Sequence, residues 1–159
     1  MEGLVFPVLG LLFFASAYMT KRRFGLLGLA LATGSLLAGI WVYDAGLVAG
    51  LFNVSSGPLS SAVISSIIVL LPAGLLMFHG YTYKSTIGRI IGAGLFALLA
   101  VTFLIEPIGH VVSVHGFGSN VYAWFVSYRT IIIGVGLILA IVDIFLTKPV
   151  QQSDKRHKH

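Results

Sequence analysis

Apolar residues are gathered into long unbroken runs, and the polar residues fall between the runs rather than alternating with them. The runs cover about residues 3–20, 24–43, 59–80, 87–105 and 129–147. Each is apolar on every side, with neither the one-sided stripe of a surface helix nor the two-residue alternation of a strand. About 20 such residues suffice for a helix to span the roughly 30 Å hydrocarbon core of a bilayer. The pattern therefore predicts an all-α, polytopic integral membrane bundle of about five transmembrane helices. A polar, basic stretch at 148–159 follows and is expected to be a disordered tail.

Breaks within and between the runs refine the boundaries. The second run continues apolar to Phe52, which as one helix would reach about 43 Å, too far for a single crossing. Asp44 is the natural end of that crossing, with Trp41 and Tyr43 at the level of an aromatic belt. Asn53-Val54-Ser55-Ser56-Gly57-Pro58 reads as a loop. Pro72 falls in the middle of the third run and predicts a kink. Glu106-Pro107 is expected to end the fourth helix. Gly116-Phe117-Gly118-Ser119-Asn120 reads as a turn. The aromatic-rich segment from Val121 to Tyr128 then suits headgroup level or the belt end of the last helix.

Composition agrees with burial in lipid. Only 9% of the residues are charged and the mean hydropathy is +0.99, whereas a soluble domain carries about 25% charged residues. There is no cysteine, so disulfides and thiolate metal sites are excluded. The net charge of +5 does not point to nucleic acid, because the basic residues sit between apolar runs and set orientation instead. Lys21, Arg22 and Arg23 fall after the first run, Lys84 and Arg89 before the fourth, and Lys148, Lys155, Arg156 and Lys158 after the fifth. With the N-terminus outside and the C-terminus in the cytoplasm, nine of the ten Lys and Arg residues lie inside and Arg129 alone lies outside. This is the bias expected of short loops in a prokaryotic plasma membrane, facing an anionic inner leaflet. Ala15-Ser16-Ala17 mimics a signal-peptide cleavage site. However, Glu2 precedes the apolar core and the basic cluster follows it, the reverse of a signal peptide, so the first helix is expected to be retained.

Small residues recur at four-residue spacing in the second and fourth runs, notably at Gly34, Gly39, Gly88 and Gly92. That spacing lets helix backbones approach closely in lipid and predicts contact between those two helices. Candidate chemistry is sparse. Asp44, Glu106, His110, His115 and Arg129 all map near the outer face. They could form a salt-bridge network around Arg129, the favoured reading, or a Glu/His metal or enzyme site. Asp143 maps to the opposite face, with Lys148 as its expected partner. Ser65 and Ser66, with Ser60 and Ser61, could line a polar path along the third helix, or bond backbone carbonyls. No crossing is expected to hold an ionisable residue at its centre. No nucleophile elbow, phosphate loop or metalloprotease motif occurs, and no cofactor is implied.

Two stretches carry a family resemblance. One is the basic turn Lys21-Arg22-Arg23-Phe24-Gly25, between a short helix and a helix rich in small residues. The other is Gly88-Arg89-Ile90-Ile91-Gly92-Ala93-Gly94-Leu95-Phe96-Ala97-Leu98-Leu99-Ala100. From Glu2 to Glu106 the arrangement resembles the colicin V production protein (CvpA) family of bacterial inner-membrane proteins. It departs from the family at Phe96, Leu99 and Ala100 and adds a fifth helix. The resemblance implies a role in envelope homeostasis, secretion or stress tolerance rather than a reaction. The resulting expectation is a non-enzymatic membrane scaffold, alone or as a homo-oligomer. A small channel or transporter subunit and an integral-membrane enzyme are the alternatives.

Overall fold

The structure, a computed structural model, describes residues 5–41, 57–78, 82–83, 85–109 and 117–146. They form five helices: α1 (Val5–Thr20), α2 (Phe24–Trp41), α3 (Pro58–Phe78), α4 (Thr86–Gly109) and α5 (Phe117–Phe145). Among the described residues there is no strand, and one isolated antiparallel bridge joins Arg22 to Thr82. The four helices α2 to α5 are long and apolar enough to cross a membrane, and α1 is a shorter apolar helix.

The helices are not equivalent. Over their crossing windows α4 is 56% and α2 44% buried, against 11% each for α3 and α5, so α2 and α4 form the interior. Between them pack Phe24, Leu27 and Leu31 of α2 and Phe96, Leu99 and Phe103 of α4. Leu31 and Ala100 are fully buried. The side chains of this seam are apolar, and the hydroxyl of buried Thr102 in α4 is satisfied by the carbonyl of Leu98 in its own helix (2.7 Å). Helix α1 lies against α4, where Phe13 meets Phe96 edge-on at 6.2 Å.

Outer helices dock where a side chain is missing. A Cβ on Gly34 of α2 would run into the backbone of Val69 in α3. One on Gly25 would stand 2.5 Å from the carbonyl oxygen of Ala140 in α5, and one on Gly136 of α5 would stand 2.7 Å from Leu99 of α4. In lipid, where apolar area alone does not drive helices together, such close approach is what packing has to offer.

Several boundaries and contacts differ from expectation. Helix α4 does not stop at Glu106-Pro107 but continues through Pro107 to Gly109. A proline this near the end costs one backbone bond and leaves the last half-turn intact. Helix α5 begins at Phe117, so residues 117–120, read above as a turn, are helical. The intrinsic cost of a glycine in a helix is only about 1 kcal/mol, and a continuous helix satisfies every backbone group. Arg129, expected to begin the last helix, consequently lies well inside α5. Pro72 lies inside α3, as its place in the third run implied, with helix on both sides of it. Gly39 faces open space, and Gly88 and Gly92 do not seat α2: their missing side chains make room for the Tyr83 ring.

Candidate functional site

One end of the bundle gathers the C-termini of α1, α3 and α5 and the N-termini of α2 and α4. The last carbonyls of a helix and the first N–H groups lack intrahelical partners and carry partial charge. The side chains between the helices meet that need. Arg22 donates from Nε to the carbonyl of Met77 at 2.9 Å and from Nη2 to that of Phe78 at 2.7 Å, closing the end of α3. Arg23 donates to the carbonyl of Asp143 at 3.2 Å, in the last turn of α5. Arg89 donates to the carbonyl of Tyr18 at 3.0 Å, in the last turn of α1, and its guanidinium lies 4.3 Å from the centre of the Tyr18 ring. Three arginines thus close three different helices.

The start of α2 is served by the opposite chemistry. Asp143 accepts the N–H of Gly25 at 2.9 Å, and the Tyr83 hydroxyl accepts that of Phe24 at 3.2 Å. Asp143 therefore works as an N-terminal cap on another helix. Lys148, its expected partner, lies outside the described residues. Tyr83 is the keystone. Its ring fills the notch left by Gly88 and Gly92, the Arg23 guanidinium lies 5.3 Å from its centre, and its N–H donates to the carbonyl of Lys21 at 3.0 Å. Burial pushes its hydroxyl from 10.0 up to about 12; the Phe24 N–H pulls it down and the Asp143 carboxylate adds to the rise. Lys21 supplies the turn between α1 and α2 in a left-handed conformation, φ 57°.

At the other end, Glu106 of α4 and Arg129 of α5 form an ion pair, with side chains 60% and 34% exposed respectively. Around it the contacts are apolar or aromatic. Phe6 and Tyr122 rings lie 5.6 Å apart, and Gly109 leaves room for the Tyr122 hydroxyl. Asp44, His110 and His115, expected beside this pair, lie outside the described residues, as does Lys84 at the opposite end. Among the described residues no three His, Cys, Asp or Glu side chains are placed to hold a metal ion.

Ser65 and Ser66 line neither of the two apolar grooves described below. Ser66 bonds the carbonyl of Ala62 at 2.7 Å, and Ser65 is buried on the stripe of Ala62, Val69 and Ala73. Two surface grooves, of about 410 Å³ between α1, α4 and α5 and about 190 Å³ between α4 and α5, are walled by apolar side chains.

Sequence reasoning missed Tyr83 altogether, and missed Gly25, Gly28 and Gly136 as docking positions. A lone tyrosine in a polar linker carries no signal; the nearby Gly88-x-x-x-Gly92 pair was the one hint of a notch. Compared with family models, with curated proteins and with solved structures, the chain matches none.

Proposed function

We propose that this is a non-enzymatic, five-crossing plasma-membrane protein of a prokaryote, with its arginine-rich end in the cytoplasm, acting as a structural scaffold in the envelope. The observation that carries the reading is the collection of five helix ends and four cations, Lys21, Arg22, Arg23 and Arg89, at one end of the bundle. Alternating crossings bring such ends together, and basic residues favour the cytoplasmic side. The apolar packing between α2 and α4 supports a packed scaffold over a conducting path. Arg22, Arg23 and Arg89 each donate to a carbonyl at a helix end, which supports a structural role over a reactive one. The CvpA-like stretches coincide with the clasp and with α4, and by that likeness the role is envelope homeostasis or secretion.

Reporter fusions test the orientation: one after His159 is expected to read cytoplasmic and one at Gly57 external, and reversed signals end the reading. For the role itself, the purified protein in liposomes is expected to pass no ions or small solutes. Flux that disappears in a Ser65→Leu, Ser66→Leu variant would replace the scaffold by a channel.

A further inference from the structure

Helix α5 is 29 residues long, yet only 11% of its crossing window is buried. Its exposed face carries an ordered row: Tyr128, Ile131, Val135, Ile138, Val142 and Phe145, between 46% and 85% exposed. The steps are three, four, three, four and three, the 3.5-residue repeat of a coiled-coil seam. Exposed Trp124 extends the row by one more step of four. Helix α3 is equally unburied, but its exposed row, Leu59, Val63, Ile67, Leu71 and Leu75, advances by fours before a single last step of three to Phe78. Each such step overshoots a 3.6-residue turn by about 40°, so that row winds round the helix and offers no straight seam.

We infer that the outer face of α5 is where a second copy of this chain docks, its α5 parallel to the first across a two-fold axis along the membrane normal. The inference rests on the membrane-spanning reading. Copies inserted in one orientation present the same residues at the same depth, so a two-fold contact joins the row to itself. From Tyr128 to Phe145 the row is about 26 Å long, close to the roughly 30 Å core. Its exposed area is on the order of 500–900 Å², taking about 150–250 Å² for a large side chain. A stable interface needs about 800 Å² from each partner. β-Branched residues at the four central positions are stiff and lose little freedom on interlocking. Two further features flank the row. Nothing lies within 4 Å of the missing side chain of Gly134, leaving space for a neighbouring helix. Ser127 is exposed beside the row, and across the seam its hydroxyl meets a polar partner that lipid cannot supply.

The absence of cysteine makes a cross-linking test clean. Single Ile131→Cys, Val135→Cys, Ile138→Cys and Val142→Cys variants, oxidised in native-like bilayers, are expected to give a disulfide-linked dimer. The yield should exceed that of Val126→Cys, on another face of α5, and Val63→Cys on α3 by about fivefold or more if the seam is specific. Photobleaching of labelled wild-type protein at low density in vesicles should then show two steps, and a Val135→Trp, Ile138→Trp variant one. Equal cross-linking at all six positions, or one-step bleaching of the wild type, overturns the inference. A cytoplasmic reporter signal from the same variants separates the outcomes. With that signal and a flat cross-linking profile the dimer alone fails; without it the membrane reading fails and takes the dimer with it.

Discussion

The two ends of this bundle use arginine in opposite ways. At one end Arg22, Arg23 and Arg89 bond backbone carbonyls of three different helices, and Asp143 and Tyr83 serve the start of a fourth. At the other, Arg129 meets the carboxylate of Glu106, while aromatic and apolar contacts join the helices. A helix terminus that leaves its cap strands backbone groups without a partner, so the first arrangement ties down whole helices. A side-chain ion pair more than a third exposed holds two flexible arms and contributes little. The difference lies in what the cation binds.

If that contrast holds, the largest loss follows from wedging the arginine end apart. Gly25→Leu would drive a side chain into the backbone of α5 at Ala140, and overpacking of this kind is expected to cost on the order of 3 kcal/mol. Reversible unfolding in mixed micelles measures it, and a loss below that of the arginine variant would break the ranking.

Arg22→Ala comes next, at about 2 kcal/mol, because it removes two charge-assisted bonds to the end of α3. Arg22→Lys is expected to restore less than half of this, since one ammonium cannot reproduce a donation from both Nε and Nη2. Full recovery with lysine would mean that charge alone matters at this end.

Tyr83→Phe keeps the ring in its glycine notch and removes only the hydroxyl, for about 1 kcal/mol. The same residue makes an alkaline prediction. Its folded value of about 12 stands above its ordinary 10.0, so the unfolded chain ionises first. The stabilisation is complete below pH 10 and is lost as pH rises towards 12. Denaturation profiles of wild type and Tyr83→Phe should therefore converge across that window, and parallel profiles would exclude Tyr83 as the titrating group.

The smallest effect belongs to the far end. Glu106→Gln is expected to cost about 0.5 kcal/mol. A loss as large as that of Arg22→Ala would erase the distinction between the ends and make the pair a site in its own right.

Much of the candidate site was visible along the chain as a list of members, though not as an arrangement. Lys21-Arg22-Arg23 and Arg89 stood out as isolated charges between apolar runs, and Glu106 and Arg129 as the charges of the opposite end. Their partners were not visible. A backbone carbonyl has no residue code, and the carbonyls of Tyr18, Met77 and Asp143 belong to apolar or unrelated stretches far away in sequence. Gly34 stood out as a packing position because small-residue spacing is a local signal, but it was expected against α4 and docks α3 instead. Gly88 and Gly92 had the same spacing and a different use, since what fills a notch depends on which group arrives there. The start of α5 was misjudged because weak turn preferences at Gly116 to Asn120 yielded to the continuity of a long helix.

The sequence by itself determined the all-α character, the apolar runs and their order, and the grouping of positive charge, because length and transfer of apolar residues into lipid depend on composition alone. Tertiary structure decided which helices became interior, that Asp143 caps α2, and that Arg22, Arg23 and Arg89 each close the end of a different helix. Those outcomes turn on distances of about 3 Å between groups that only the packed bundle brings together, with free helix termini among the partners to hand.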